Sequence, residues 1–232
     1  MTDGATLIAH RGAQIVTHDQ LAQYIPPPPT DTWKPVGHKE LVDTLTSVMA
    51  GRGLHIKREQ FAVHNAKLFG TFDLEWMQME EYGAAVCFRH ATDKSMAIQI
   101  GVGARVFICD NMSMSAEMIS VRKHTSRLNL DEEMDRAMYR YMQGFRRLLD
   151  DIHVQESTPV THGEGKALIY DIFRQKIVPL KLFHPISDHW DVTENRTAWT
   201  LQNACTAHIK KLPPAPAFRA TARLGKFFTS TF

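Results

Sequence analysis

The sequence predicts an α+β fold: an antiparallel meander of four or five strands packed against a long helix, with a helical C-terminal portion. Two features carry this reading. Between Leu54 and Cys109, apolar runs of strand length alternate with short turn signals. From Asp131 to Ile152, the apolar residues Met134, Met138, Tyr141, Phe145, Leu148 and Ile152 recur at steps of four and three, the helical period.

The first 36 residues read as an arm. Pro26–Pro29 favours extended polyproline geometry, and Ile15, Val16, Leu21 and Tyr24 form a short segment able to pack on the body or on a neighbouring subunit. The core domain is expected over 37–212, and a basic tail over 213–232. Its first helix is predicted at 39–52, where Leu41, Val42, Leu45, Val48 and Met49 share one face and Gly51 and Gly53 supply a stop. Strands follow over 54–63 and 68–76, joined by a turn at His64–Lys67. The segment Glu80–Gly83 breaks the chain before a strand over 84–90, and Ala91–Lys94 makes the next turn. Runs at 95–102 and 104–109 are separated by Gly101-Val102-Gly103, read as a bulge or bend.

Asn129 is the expected cap of the long helix, and Asp131-Glu132-Glu133 sets negative charge on its positive end. The apolar stripe is assigned to covering the sheet rather than to a coiled coil. Thr161-x-x-Glu164 has capping-box spacing ahead of a helix that carries Leu168, Ile169, Ile172 and Phe173. Residues 176–195 read as irregular. A helix over 196–212 buries Trp199 or Leu201, then Cys205, His208 and Leu212, and Pro213-Pro214 ends it. Phe218–Phe232 is expected as a short final helix.

Composition narrows the function classes. The 232 residues are 44% hydrophobic and 22% charged, with a net charge of +2, an ordinary globular balance. No run approaches the roughly 20 apolar residues of a membrane span, and the start of the chain lacks the apolar core of a secretory leader. No membrane partner is expected. Three widely spaced cysteines, Cys87, Cys109 and Cys205, make no disulfide framework and suit a reducing cytoplasm. Cys87 and Cys109 sit in apolar runs and read as buried small hydrophobes. The charge is uneven: residues 197–232 hold Lys210, Lys211, Arg219, Arg223 and Lys226 but no Asp or Glu. Such a segment suits a phosphate backbone or an acidic partner, and equally a solvated helix face.

Signatures of catalysis are weak. The densest histidine group, His184–His189 with His162 or His208, lacks the HExxH spacing that sets two ligands on one helical turn, so no metal is expected. Gly163-Glu164-Gly165-Lys166 lacks the earlier glycine and the Ser/Thr of a phosphate loop, and Gly101-Val102-Gly103 lacks the third glycine of a dinucleotide fingerprint. There is no GxSxG elbow. No cofactor is expected, and the chain reads as a binding protein rather than an enzyme. The residues that suit phosphate contacts are Lys57 and Arg58 beside the first strand, Arg105 on a later one, Arg122, Lys123 and Arg127 after the sheet, and Lys210 and Lys211.

Three segments resemble a phage/plasmid-like family of mobile-element proteins with no assigned activity. They are Asp93–Ala97 followed by Arg105–Asn111, then Arg122-Lys123-His124-Thr125, then Thr197–Thr206 with its Asn203-Ala204-Cys205-Thr206. The likeness spans about residues 90–210 and departs from the family at Ala207-His208. It implies a mobile-element protein acting in a bacterial cytoplasm. By fold analogy, the helix, strand meander and long helix look like the core of phage single-strand annealing proteins.

The expected function is therefore single-stranded DNA binding and annealing by a homo-oligomer, in the form of a ring, without a catalytic residue. The alternative is an interaction protein that blocks or recruits a host factor. A metal-dependent enzyme of nucleic-acid metabolism stands third.

Overall fold

The computed structural model describes residues 13–76, 82–106, 111–114 and 120–232. The architecture is α+β. Strands β1 (Gln14–Val16), β2 (Ile56–His64), β3 (Lys67–Leu74), β4 (Tyr82–Ala91), β5 (Ile98–Val106) and β6 (Asn111–Met114) follow one another across an antiparallel sheet in chain order. β7 (Ser120–Arg122) returns to pair with the Ile98 end of β5. Among the described residues the sheet thus has seven strands, of which β2–β5 are the long ones. The extra strands are short pieces of three or four residues, too brief to print a two-residue period in the sequence.

Alternation along the strands gives the sheet two faces. On the first, Phe61, Val63, Leu68, Phe72, Leu74, Val86, Phe88 and Ile100 meet α1 (His38–Gly51) and α2 (Leu130–Ser157) in the main core. The stripe of α2 from Met134 to Ile152 is buried there, so it covers the sheet as its period implies. Asn129 caps α2, its side chain accepting from Glu132 N at 3.3 Å.

The arm is stitched into this core. β1 pairs with β2, and Val16, Leu21 and Val36 are buried, although Ile15 faces outward. The expected bend at Gly101–Gly103 is absent. β5 runs straight through both glycines in unbroken register, Gly101 opposite Cys87 and Gly103 opposite Ala85. The small residues there make a shallow floor instead of a turn, and a helix lies on it. Glu80 lies outside the described residues, and Gly83, expected in the break, is inside β4. Cys109 also falls outside them; Cys87 and Cys205 are buried, and burial pushes the Cys205 thiol up to about 12.

The C-terminal portion has its own core, built by α3 (His162–Arg174), α4 (Phe183–Asp191), α5 (Ala198–Ile209) and α6 (Pro214–Thr231). The Thr161 capping box forms, with Glu164 Oε2 accepting from Thr161 N at 2.8 Å. Residues expected as irregular contain α4, because Pro185 sits in the first turn, where its missing N–H breaks no helical bond. α5 buries both Trp199 and Leu201, one in each core, which is why neither alone fits a single face. His208 is only half-buried.

The segment 213–232 is no free tail. Pro214 opens α6 at the first helical position. Leu224 and Phe228 enter the helical core, while Phe218 and Ala222 lie on Ala85 and Cys87 of the second sheet face.

Candidate nucleic-acid interface

The expected phosphate contacts fall into separate regions. Lys57 is exposed at the register shift of β2, and Arg58 holds Asp73 at 2.8 Å. Arg105 pairs with Gly83 and Met112 on β5, at the same end of the sheet as Arg58. Three strand spacings still separate β2 from β5, about 14 Å. Arg122 ends β7 at the opposite end and is ion-paired with Glu133 of α2. Lys123 and Arg127 are exposed on the connector into α2. Lys210 and the exposed Lys211 follow α5, Lys211 reaching His208 Nδ1 at 3.4 Å. Arg122, Lys123 and Arg127 share one segment, and Arg122 is spent on a carboxylate.

The connector is anchored from beneath by a histidine. His124 is buried, and its Nδ1 accepts from Val36 N at 3.2 Å. Its ring stacks on buried His90 at 5.5 Å, and His90 Nε2 lies 2.9 Å from Nδ1 of buried His38. His38 Nε2, His90 Nδ1 and His124 Nε2 have no hydrogen-bond partner among the described residues. Burial lowers all three pKa values: His38 to about 4 and His90 well below its usual range, helped there by the neighbouring imidazoles. At His124 burial also dominates, opposed by Glu40. Three neutral rings thus pin the arm, β4 and the connector to one another. They do not form a ligand set: among the described residues no group of three or more His, Cys, Asp or Glu could hold a metal ion. In the His184–His189 region, His162 instead bonds Asp191 at 2.6 Å, and His189 meets the His208 ring edge-on at 5.4 Å. Gly165 of the rejected phosphate loop has a packing role, since a Cβ there would meet the Trp190 ring at 2.2 Å.

A cationic concave surface lies elsewhere, between α6 and the chain that follows α3. A cleft of about 450 Å³ has an apolar floor of Phe173, Ile177, Val178 and Leu180, with Lys176, Arg219 and Arg223 around it. A neighbouring hollow of about 310 Å³ shares Ile177 and Arg223 and adds Lys226 and Phe227. No Asp or Glu is among the described residues that line either one. Arg219, Arg223 and Lys226 stand at i, i+4 and i+7, on one side of α6 over about 10 Å of axis. Arg223 donates to the Lys176 carbonyl at 3.2 Å, which fixes the guanidinium without neutralising it. Asp171, one turn back on α3, is held by Arg174 at 3.1 Å.

In the sequence this charge shows only as an acid-free segment, of which Lys210 and Lys211 alone are assigned to phosphate contact. The 4-3 spacing of Arg219, Arg223 and Lys226 is the signal available for the remaining three. Their apolar counterpart, some 40 residues earlier, has no local mark.

No protein-family model, curated protein or solved structure matches the chain. The resemblance of Asp93–Ala97, Arg105–Asn111, Arg122–Thr125 and Thr197–Thr206 to a mobile-element family finds no support in these comparisons. Among the described residues, no helix is long and apolar enough to cross a membrane.

Proposed function

We propose that the protein binds single-stranded nucleic acid along the α3–α6 cleft. The observation that carries this reading is an apolar floor with Lys176, Arg219 and Arg223 around it, continued by Lys226 in the neighbouring hollow, with no carboxylate among the described lining residues. Phosphates meet the cations, two of them arginines suited to bidentate contact, while unpaired bases lie against Phe173 and Phe227. Duplex DNA keeps its bases stacked inside and cannot use such a floor. Annealing of complementary strands by a homo-oligomer, in a bacterial cytoplasm, extends this reading and requires no catalytic residue. The exposed Lys123 and Arg127 offer a second, weaker contact.

Fluorescence anisotropy with single-stranded and duplex oligonucleotides tests the proposal. Four neutralised phosphates imply a loss of about fifty-fold in affinity between 50 and 200 mM salt. The Arg219→Ala/Arg223→Ala/Lys226→Ala variant should bind weakly and lose only about threefold over the same range. A Lys123→Ala/Arg127→Ala variant should keep most of the affinity. Equal binding of duplex and single strand, or an unchanged salt slope in the triple variant, would sink the reading. Capture of an acidic peptide in place of a strand would turn it toward the host-factor alternative.

A further inference from the structure

Arg89 sits on the second face of the sheet, and its guanidinium has no counter-ion among the described residues. The residue is only 3% exposed. Nε and Nη2 both donate to Gln99 Oε1, at 2.8 and 2.6 Å, and Cζ lies 4.7 Å from the Phe218 ring centre. Nη1 is buried with no hydrogen-bond partner among the described residues. The carboxylate of Asp73 on the same face is four residues along β3 from Phe69, the partner of Arg89, or about 13 Å away, and Arg58 already holds it. Among the described residues the charged group placed next to this stack is another cation, Arg219, which follows Phe218 in α6; burial, with this cation adding to it, lowers the Arg89 pKa to about 10. The group therefore remains charged at neutral pH. Thr71, diagonal to Arg89 across the β3–β4 pair, adds a buried hydroxyl that also lacks a partner among the described residues. A buried cation beside a second cation is costly in an empty protein and favourable only when an anion joins them.

We infer that Arg89 and Arg219 form a binding site for a phosphate-class oxyanion beneath the first turns of α6, with Arg89 as its buried wall. Nη1 of Arg89 and the guanidinium of Arg219 donate to the anion. Access is past Phe218, which is only part-buried. The anion is either a free phosphate or a phosphodiester of a strand in the adjoining cleft, which Arg219 also lines. The site does not depend on the strand-binding reading, because inorganic phosphate alone tests it.

The experiment is thermal unfolding of the full chain in inorganic phosphate against chloride of equal ionic strength. Wild type should gain a saturable stabilisation. Arg89→Met should unfold in chloride at the same or a higher temperature than wild type, because an uncompensated charge is gone, and should lose the saturable gain. Arg219→Ala, a surface change that leaves folding intact, should raise the half-saturating phosphate concentration about tenfold. No phosphate-specific gain in wild type, an equal gain in Arg89→Met, or an unaltered midpoint in Arg219→Ala would each overturn the site. A second arm assigns the source: strand affinity reduced in Arg89→Met points to the phosphodiester, and unchanged affinity to free phosphate.

Discussion

Acidification from about pH 7.5 to pH 4.5 is expected to destabilise the protein steeply, beginning well above the pH at which carboxylates titrate. His38, His90 and His124 are buried in contact, and each has its pKa depressed in the folded state. The unfolded chain takes up these protons near pH 6.5, whereas the folded chain refuses them. Stability is thus fully present above pH 6.5 and is lost as the pH falls toward the folded values. For His38, the fall from 6.5 to about 4 corresponds to about 3 kcal/mol. His90 and His124 add to the loss in the same direction. Urea titrations at half-unit pH steps give proton uptake from the slope of stability against pH. His90→Gln should reduce that uptake by about one proton. A flat profile between pH 7 and pH 5 would mean that the rings are not buried together.

The second large effect is expected at Gly70. It faces Phe88 across the β3–β4 pair, and a Cβ at that position would lie 2.2 Å from the ring tip. Phe88 cannot swing away, because Phe72 and Phe61 pack on it at 5.1 and 6.2 Å. Gly70→Ala should therefore cost about 3 kcal/mol, or roughly 10 °C in Tm. Phe88→Leu in the Gly70→Ala background should recover part of the loss, since it removes the atoms that clash. The pair is then non-additive by at least about 1 kcal/mol. A Gly70→Ala protein as stable as wild type would show that this close approach is not required.

These two sites mark where local sequence stops informing. The α2 stripe and its Asn129 cap are legible because the helical period and the capping bond involve residues three or four apart. The turns at His64–Lys67 and Ala91–Lys94 are legible for the same reason: Asn65 and Lys94 take left-handed conformations within short connections. Glycines and prolines mislead where their role is tertiary. Gly101 and Gly103 suggest a bend, yet they flatten a continuous strand under α6. Pro185 lies in a segment read as irregular, yet it sits where a helix begins; Pro213-Pro214 does follow the end of α5, and Pro214 also opens α6. Burial of His124 is invisible in a segment of cations and hydroxyls, because its partners Val36 and His90 lie 88 and 34 residues away.

The candidate site was half legible. An acid-free C-terminal segment suits a partner of negative charge and equally a solvated helix face; Arg219 and Arg223 from it line the cleft, and Lys226 lines the neighbouring hollow. Lys57, Arg58 and Arg105 had equal claim by residue type, but the sheet spreads them along its far end. Charge can be read from one segment; concavity needs two. Phe173 to Leu180 supplies the second wall only once α3 and α6 have packed on their shared core.

Hydrogen–deuterium exchange on the full chain, with and without a single-stranded oligonucleotide, is the sharpest test of strand binding between α3 and α6. Protection is expected at residues 173–180 and 216–231, with little change at 122–127. Protection confined to the 122–127 connector, or to the Lys57–Arg58 end of β2, would contradict that placement and move the interface away from α6.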